Sequence, residues 1–181
     1  GFSPYLPTFN STVIESFAHE VPGLADHFIY MNDDFLFGAP NTIRDYLTPD
    51  GKHLVYGTRF GVWIPGRIYR ERWKIFRAAS HLEHCPRLIR KQFFEEMLAS
   101  KPRAIARTRS SRFRKGTDLR MDRMYRTWML GPRRAWSSAV LGRDLVRFHR
   151  FHRIDNNLED QRDALDQLAR MTPKFYCLND D

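Results

Sequence analysis

Two adjacent carboxylates and an amide lie inside the most apolar stretch of the chain, FIYMNDDFLFG at residues 28–38. Burying ionised carboxylates costs free energy unless a cation or hydrogen-bond donors replace the lost water. Asn and Asp supply hard oxygen ligands, which Mg²⁺ and Mn²⁺ prefer. A second Asn-Asp-Asp tripeptide follows KFYCL near the end of the sequence. Two interpretations stay open, a capped turn after a strand and a metal site; its candidate ligands are Asn32, Asp33, Asp34, Asn179 and Asp180.

A histidine and a run of arginines could act on phosphate. His84 comes just before Pro86, which is expected to begin a helix, and the positive end of a helix favours both phosphate and a neutral imidazole. Residues 103–115 are the densest positive stretch, and the planar arginine fork suits phosphate. A diphosphate needs only one or two of these residues, and the others are expected to form a solvated face.

The composition indicates a folded domain with an anionic partner. The net charge is +9, and most of the 30 basic residues are arginine. The partner could be a nucleic acid, a nucleotide, a phosphorylated sugar or an anionic membrane surface. Two cysteines without metal-like spacing argue against a disulfide scaffold and are compatible with the cytoplasm. No apolar run approaches about 20 residues, so neither a transmembrane helix nor a signal leader is expected.

Helices and short strands must position these residues. Strands followed by polar tripeptides and interspersed with helices favour an α/β fold, in which ligand residues gather past the carboxyl ends of strands. Ser11 is expected to cap the first helix, Asp118 to lead into the fourth, and residues 103–118 to form a loop or short strand between helices. The expected helices are 11–20, 69–79, 86–100, 119–130 and 157–170, and the expected strands are 28–31, the hairpin 53–57 and 60–64, 145–151, and a last strand from 174 into Asn179.

Together these segments resemble the Stealth family of bacterial capsule and exopolysaccharide sugar-phosphate transferases, which is related to the GlcNAc phosphotransferase that marks lysosomal enzymes. PTFNSTVIESFAHEVPGLADHFIYMNDDFLFG at 7–38 resembles the family's second conserved region. HCPRLIR at 84–90 and SRFRKGTDL at 111–119 resemble the third region, and KFYCLNDD at 174–181 resembles the fourth. The first region, which helps to hold the nucleotide sugar, has no counterpart here.

The resemblance implies a nucleotide-sugar-transferase-like α/β fold, with a mixed sheet and flanking helices that is incomplete at its N-terminus. It implies one catalytic domain over 1–181: the conserved NDD region at 1–65, a mostly helical His-x-Pro region at 66–140, and a strand-helix-strand segment at 141–181. The implied reaction moves a hexose 1-phosphate from a nucleotide sugar, expected to be a UDP-hexose, to a hydroxyl of an acceptor glycan. A cytoplasmic location follows, with peripheral membrane association compatible.

Several residues match positions that the family uses. The resemblance implies that Arg114 binds phosphate, that Mg²⁺ or Mn²⁺ is the cofactor, and that Glu15 orients or assists His84, which is either a base or a nucleophile. The implied catalytic residues are Glu15, Asp34, His84 and Arg114, and the implied substrate-binding residues are Asn10, Ser11, Arg90, Arg112 and Asp118.

Two other functional classes compete with this interpretation. A basic nucleic-acid-binding module would explain the charge but not the arrangement of Glu15, the NDD tripeptide and His84, and Phe113 is the only aromatic residue in the basic run. No nucleic-acid partner is therefore expected. A metal-dependent phosphohydrolase would use the same groups with water in place of the sugar hydroxyl.

Overall fold

The computed structural model describes residues 1–57, 85–141, 149–154 and 157–179. The helix predicted at 69–79, the strand predicted at 60–64, His84 and Asp180 lie outside these ranges. The described residues form helices and sheets of mixed strand orientation, which confirms the α/β fold.

Short helices and strands alternate along the described chain. The helices are α1 (Ser11–Glu15), α2 (Lys91–Ala99), α3 (Pro102–Arg109), α4 (Met121–Leu130) and α5 (Leu158–Met171). The strands are β1 (His27–Tyr30), β2 (Phe35–Phe37), β3 (His53–Gly57), β4 (Arg87–Arg90), β5 (Ser137–Leu141), β6 (His149–Arg153) and β7 (Phe175–Asn179).

The chain forms two compact units. Unit 1 comprises Gly1–Phe28 and Ile89–Trp128, and unit 2 comprises Ile29–Leu88 and Met129–Asp181. The single catalytic domain that the sequence predicts over 1–181 stays a prediction.

Unit 1 is built on helices that bury one face each. Helix α2 buries Phe93, Phe94 and Met97, whose helical spacing places them along one side. The Phe94 ring packs against Tyr125 of α4, with the ring centroids 6.0 Å apart. Helix α3 contributes Ile105 to the buried part of unit 1.

The helix predicted over 86–100 is shorter than expected. Residues 87–90 form strand β4, and the helix begins at Lys91. Leu88 and Ile89 are both buried. Neighbouring residues of a strand point to opposite faces, so an apolar pair that is buried on both faces fits a strand.

The loop predicted over 103–118 is wrong in its first half, because residues 102–109 form α3. The sequence predicts that Lys101-Pro102 stops the preceding helix, and that helix does end at Ala99. Pro102 is in addition the first residue of a new helix. A proline is tolerated there because its missing N–H would have no partner within the helix. Asp118 does not begin α4 as expected, since its carboxylate instead binds within the preceding loop.

The helix predicted over 11–20 ends early. Helix α1 stops at Glu15, and a 3-10 turn follows at Ala18–Glu20. The Ser16 hydroxyl donates to the Val13 carbonyl at 2.7 Å, so a side chain takes part in ending the helix. The cap is Asn10 rather than Ser11, because Asn10 has the extended backbone from which its side chain can reach the Thr12 amide.

Unit 2 contains a three-stranded mixed sheet in the order β2-β7-β6. Strand β2 is antiparallel to β7, with Phe35 opposite Cys177, and β6 is parallel to β7. Strands β3 and β5 pair in parallel, while the predicted hairpin partner of β3 lies outside the described residues. Tyr46, Tyr56, Cys85, Leu88 and Phe175 form a buried cluster.

The remaining predictions for unit 2 hold with shifted ends. Strand β6 begins at His149 within the range predicted for a strand at 145–151, of which 145–148 lie outside the described residues. Helix α5 confirms the helix predicted at 157–170. Among the described residues, no helix has the length and apolar character needed to cross a membrane.

Candidate active-site clusters

Asn10 organises the first cluster, in unit 1. Its side chain is fully buried. Asn10 Oδ1 accepts from the Thr12 amide at 3.1 Å, and Asn10 Nδ2 donates to Asp118 Oδ2 at 2.8 Å and to the Ser111 carbonyl at 3.1 Å. The start of α1 is thereby joined to a loop about a hundred residues later in the chain, and Asn10 positions that loop rather than presenting itself to solvent.

Asp118 holds the same loop from its other end. Its Oδ2 accepts from the Lys115 amide at 2.8 Å as well as from Asn10. Desolvation raises the pKa of Asp118, but hydrogen bonds from the Lys115 amide and from the Asn10 and Ser111 side chains outweigh it, and the net pKa lies below its ordinary value. Asp118 is therefore an anion at neutral pH that fixes the 115–118 turn.

Arg114 and Ser11 meet on this framework. The Arg114 guanidinium donates to Ser11 Oγ at the start of α1. Glu15 is half-buried and lies four residues after Ser11 in the same helix, so the two share a face. Arg114 itself is exposed, and its fork is accessible to an anion from solvent. We call Asn10, Ser11, Arg112, Arg114 and Asp118 the arginine cluster.

Arg112 lies beside two exposed aromatic rings. Phe9 and Phe113 stack with centroids 5.5 Å apart and planes 11° apart, and the guanidinium carbon of Arg112 is 5.6 Å from one centroid and 5.8 Å from the other. The Phe9 amide donates to the Arg112 carbonyl at 2.9 Å. Two segments distant in sequence are therefore held side by side by backbone and side-chain contacts.

The basic run divides into inward and outward arginines. Arg109 donates from Nε to Ser16 Oγ at 3.0 Å and lies 3.8 Å above the Phe17 ring centroid. Burial lowers the pKa of Arg109, yet a guanidinium stays charged at neutral pH. Arg109 thus supports unit 1, whereas Arg112 and Arg114 are exposed.

Arg90 has partners other than the arginine cluster. At the end of β4, its Nε is 3.4 Å from Asp26 Oδ2, its guanidinium lies 4.9 Å from the Phe93 ring centroid, and its amide donates to the Tyr125 hydroxyl at 3.1 Å. Burial raises the pKa of Tyr125 to about 12, so its hydroxyl stays protonated. The predicted substrate role of Arg90 stays a prediction.

The second cluster, in unit 2, follows from the register of two strands. Asp34 directly precedes β2, whose first residue, Phe35, lies opposite Cys177 near the end of β7. Asp34 Oδ2 therefore accepts from Cys177 Sγ and from Asn179 Nδ2, each at 3.1 Å. Asp34 of the first NDD segment and Asn179 of the second therefore meet. Asp34 lies just before β2, whereas Asn179 is the last residue of β7.

The other members of the first tripeptide form a turn. The Phe35 amide donates to the Asn32 carbonyl at 3.2 Å, and the Tyr30 hydroxyl donates to Asn32 Oδ1 at 2.7 Å. Asn32 and Asp33 are exposed, while Asp34 is half-buried. We call Asn32, Asp33, Asp34, Cys177 and Asn179 the carboxylate cluster.

Cys177 is a member that sequence reasoning missed. Its side chain is fully buried, and burial followed by the neighbouring Asp34 carboxylate raises the pKa of the thiol. The thiol stays protonated and donates to Asp34. Alternation in KFYCLND could have indicated this contact, since Cys177 and Asn179 lie on one face of β7.

A hard divalent cation fits the carboxylate cluster by donor type. Asp33, Asp34 and Asn179 offer carboxylate and amide oxygens. Within the described ranges, no three His, Cys, Asp or Glu side chains converge in a way that could hold a metal ion. Asp180, the further predicted ligand, and His84 lie outside those ranges.

The two segments that form the arginine cluster match two conserved regions of one protein family. Residues 3–55 match the family model described as Stealth protein CR2, conserved region 2, and residues 83–130 match Stealth protein CR3, conserved region 3. Asn10 and Ser11 belong to the first match, and Arg112, Arg114 and Asp118 belong to the second. The likeness of 174–181 to a fourth region stays a prediction.

Curated relatives are similar to this chain over different lengths, and two of them match almost all of it. An exopolysaccharide phosphotransferase of Nocardia farcinica is 31% identical over 97% of this chain and 36% of its own length. The exopolysaccharide phosphotransferase CpsY of Mycobacterium leprae is 35% identical over 97% of this chain and 34% of its own length. A capsular polysaccharide phosphotransferase of Haemophilus influenzae is 44% identical over 29% of this chain and 14% of its own length. The chain spans about a third of the length of the first two relatives.

Proposed function

This chain belongs to the Stealth family, and from that premise we propose that it transfers a hexose 1-phosphate from a nucleotide sugar to a hydroxyl of an acceptor glycan. Relatives that cover almost all of it are named exopolysaccharide phosphotransferases. We propose a UDP-hexose as the donor, a growing capsule or exopolysaccharide chain as the acceptor, and the bacterial cytoplasm or its membrane surface as the location.

One observation carries the proposal: the contact between Arg114 and Ser11. Each residue comes from a different conserved region, and the buried bonds of Asn10 to Asp118 and Ser111 hold the two regions together. The result is an exposed guanidinium on a fixed support. Such a fork binds two phosphate oxygens in parallel, which suits a diphosphate.

The reaction exchanges one phosphorus–oxygen bond for another. The acceptor hydroxyl oxygen forms a bond to the phosphorus that carries the sugar, and the bond from that phosphorus to the bridging oxygen breaks. The nucleoside monophosphate leaves with the bonding electron pair. Negative charge grows on the phosphoryl and leaving oxygens, and a fixed guanidinium stabilises that charge. We assign this role to Arg114.

The hydroxyl proton needs an acceptor. We assign His84 to this step as base, or alternatively as a nucleophile that carries the sugar phosphate transiently. Glu15 shares a helix face with Ser11 and is assigned to orient or assist the histidine. Arg90 and Arg112 are assigned to substrate binding by charge.

Mg²⁺ or Mn²⁺ is proposed as the cofactor. Asp33, Asp34 and Asn179, with Asp180 and the Asn32 carbonyl, would supply its oxygen ligands. When bound, such an ion would neutralise charge on the diphosphate. The hydrogen bonds of Cys177 and Asn179 to Asp34 keep that carboxylate in place.

A transfer assay with matched arginine variants tests the proposal. The chain is incubated with a panel of UDP-hexoses and oligosaccharide acceptors, and mass spectrometry follows the glycan phosphodiester and UMP. Arg114→Ala should reduce the rate of diester formation about 100-fold or more. Arg114→Lys should restore only part of that rate, because lysine lacks the planar fork. Arg103→Ala, which changes an exposed arginine of the same basic run, should change the rate little.

Three outcomes would contradict the proposal. Equal rates for Arg114→Ala and Arg103→Ala would remove Arg114 from the chemistry. UMP together with free hexose phosphate, and no diester, would indicate a phosphohydrolase. Salt-sensitive binding of random oligonucleotides without diester formation would indicate a nucleic-acid-binding module.

A further inference from the structure

The stacked rings of Phe9 and Phe113 are not part of the buried core. Both rings are mostly exposed, 66% for Phe9 and 62% for Phe113. Exposed aromatic rings lose the hydrophobic stabilisation that burial would give. Their parallel arrangement is nevertheless fixed, since the Phe9 amide bonds to the Arg112 carbonyl and Thr8 Oγ1 donates to the same carbonyl at 3.3 Å. The stacked pair thus keeps the outer faces of its rings in solvent.

The two rings are next in sequence to the residues proposed to bind phosphate, Arg114 and its partner Ser11. Phe113 directly precedes Arg114, and Phe9 comes two residues before Ser11, the partner of Arg114. Arg112 adds a second guanidinium within 6 Å of both ring centroids. A ligand that places a phosphate on Arg114 would therefore have its attached group within reach of the aromatic pair.

We propose that Phe9, Phe113 and Arg112 form a stacking surface for the nucleobase of the donor nucleotide. This inference rests on the proposed function, because it places the donor's phosphate on Arg114. Bases stack on aromatic rings and on guanidinium planes without sequence-specific hydrogen bonds. A planar base can stack on the outer face of one ring while the other ring supports that ring from behind. A puckered sugar ring would touch the same face through only a few C–H groups. The arginines complement the negative phosphate beside the base.

The surface also explains why the loop 111–118 is fixed so firmly. Asn10 and Asp118 bind its backbone from buried or half-buried positions. A preorganised surface loses less conformational entropy on binding than a mobile one. The hydrogen bonds of Asn10 and Asp118 therefore position both Arg114 and the stacking surface.

Three small probes separate the parts of the ligand. Inorganic phosphate carries no substituent, glucose 1-phosphate carries a sugar, and UMP carries a base. Their affinities for the full chain are measured by isothermal titration calorimetry. Phe113→Ala and Phe9→Ala should each weaken UMP binding at least about fivefold, with phosphate and glucose 1-phosphate unchanged. Phe113→Tyr should restore UMP binding, because it keeps the ring.

Phe151→Ala is the matched control, since Phe151 is a 47% exposed phenylalanine of unit 2. Circular dichroism checks that each variant stays folded. Unchanged UMP binding in both Phe9→Ala and Phe113→Ala would overturn the inference, and equal weakening of glucose 1-phosphate would assign the surface to the sugar instead. Ring-dependent UMP binding without any glycan transfer would refute the proposed function but support the stacking surface, so the two failures are distinguishable.

Discussion

The arginine cluster of unit 1 and the carboxylate cluster of unit 2 are assembled in different ways. In unit 1, side chains join segments about a hundred residues apart, and a buried asparagine supplies most of the donors. In unit 2, the strand register places Asp34 beside Cys177 and Asn179. A single side-chain change should therefore disturb the first cluster more than the second, in which the backbone ladder fixes the positions.

The clusters also differ in what they leave exposed. In the arginine cluster Asn10 is buried, Ser11 and Asp118 are half-buried, and the cations Arg112 and Arg114 are exposed. The carboxylate cluster buries a neutral thiol and exposes Asp33. Each cluster thus presents charge from a hydrogen-bonded support, and the two charges have opposite signs.

Removal of divalent cations should have the largest effect and should separate the clusters by function. We expect EDTA to abolish glycan transfer and added Mg²⁺ or Mn²⁺ to restore it, because the carboxylates need a cation to act on a diphosphate. Binding of inorganic phosphate, assigned to the arginines, should survive the chelator. Transfer by mass spectrometry and phosphate binding by calorimetry are measured on the same sample.

Full transfer activity in EDTA would remove the metal from the proposal. Loss of phosphate binding in EDTA would contradict the separation of the two clusters.

Replacing Asn10 tests the difference in assembly. Asn10→Ala removes the cap of α1 and takes the Asn10 Nδ2 donor away from both the Ser111 carbonyl and Asp118, which keeps the Lys115 amide. We expect the free energy of unfolding to fall by about 2–4 kcal/mol, measured by urea denaturation. The matched variant in unit 2 is Asn32→Ala, which removes an exposed asparagine bonded to the Tyr30 hydroxyl. It should change the free energy by no more than about 0.5 kcal/mol.

Equal effects of the two asparagine variants would show that the network around Asn10 is not what stabilises unit 1.

The two clusters were not equally accessible to prediction. The apolar runs before the NDD tripeptides predicted strands, and β1 and β7 confirm them. The helical spacing of apolar residues at 157–170 predicted a helix, and α5 confirms it. The meeting of Asp34 with Asn179 was expected from strand ends, but the antiparallel pairing of β2 with β7 was not, because pairing direction leaves no local mark. The partnership of Asn10 with Asp118 has a sequence separation of 108 residues, and neither residue lies in a periodic segment that would indicate it.

Local signals failed where two structures compete for the same residues. Asn10 and Ser11 are both good helix caps, and the backbone angles of Asn10 decide between them. Pro102 ends one helix and begins another, and composition cannot distinguish these roles. Leu88 and Ile89 suit either a buried strand or a buried helix, since a short apolar run has no diagnostic period.

Acid should weaken unit 1 through Asp118. Its lowered pKa favours the carboxylate in the folded chain, so this stabilisation is complete above the pKa of an unfolded aspartate, about 4, and is lost as pH falls through the lower folded value. Asp118→Asn should cost about 1–2 kcal/mol at pH 7, and the difference from the parent should shrink at pH 3. Urea denaturation at both values measures this, with the exposed Asp33→Asn as control. A difference that stays constant with pH would contradict the ionic role.

Alkali should lower the stability of unit 2 through Cys177, whereas acid lowers that of unit 1 through Asp118. Burial and Asp34 raise the pKa of the thiol, so its contribution is complete below the pKa of an unfolded cysteine, about 8.5, and declines as pH rises above it. The expected loss by pH 9.5 is about 1 kcal/mol, and Cys177→Ala should remove it. Cys85→Ala should retain it, because this change removes the other buried cysteine and leaves the contact between Cys177 and Asp34 in place. If both cysteine variants keep the same alkaline loss, ionisation of the Cys177 thiol is not its cause.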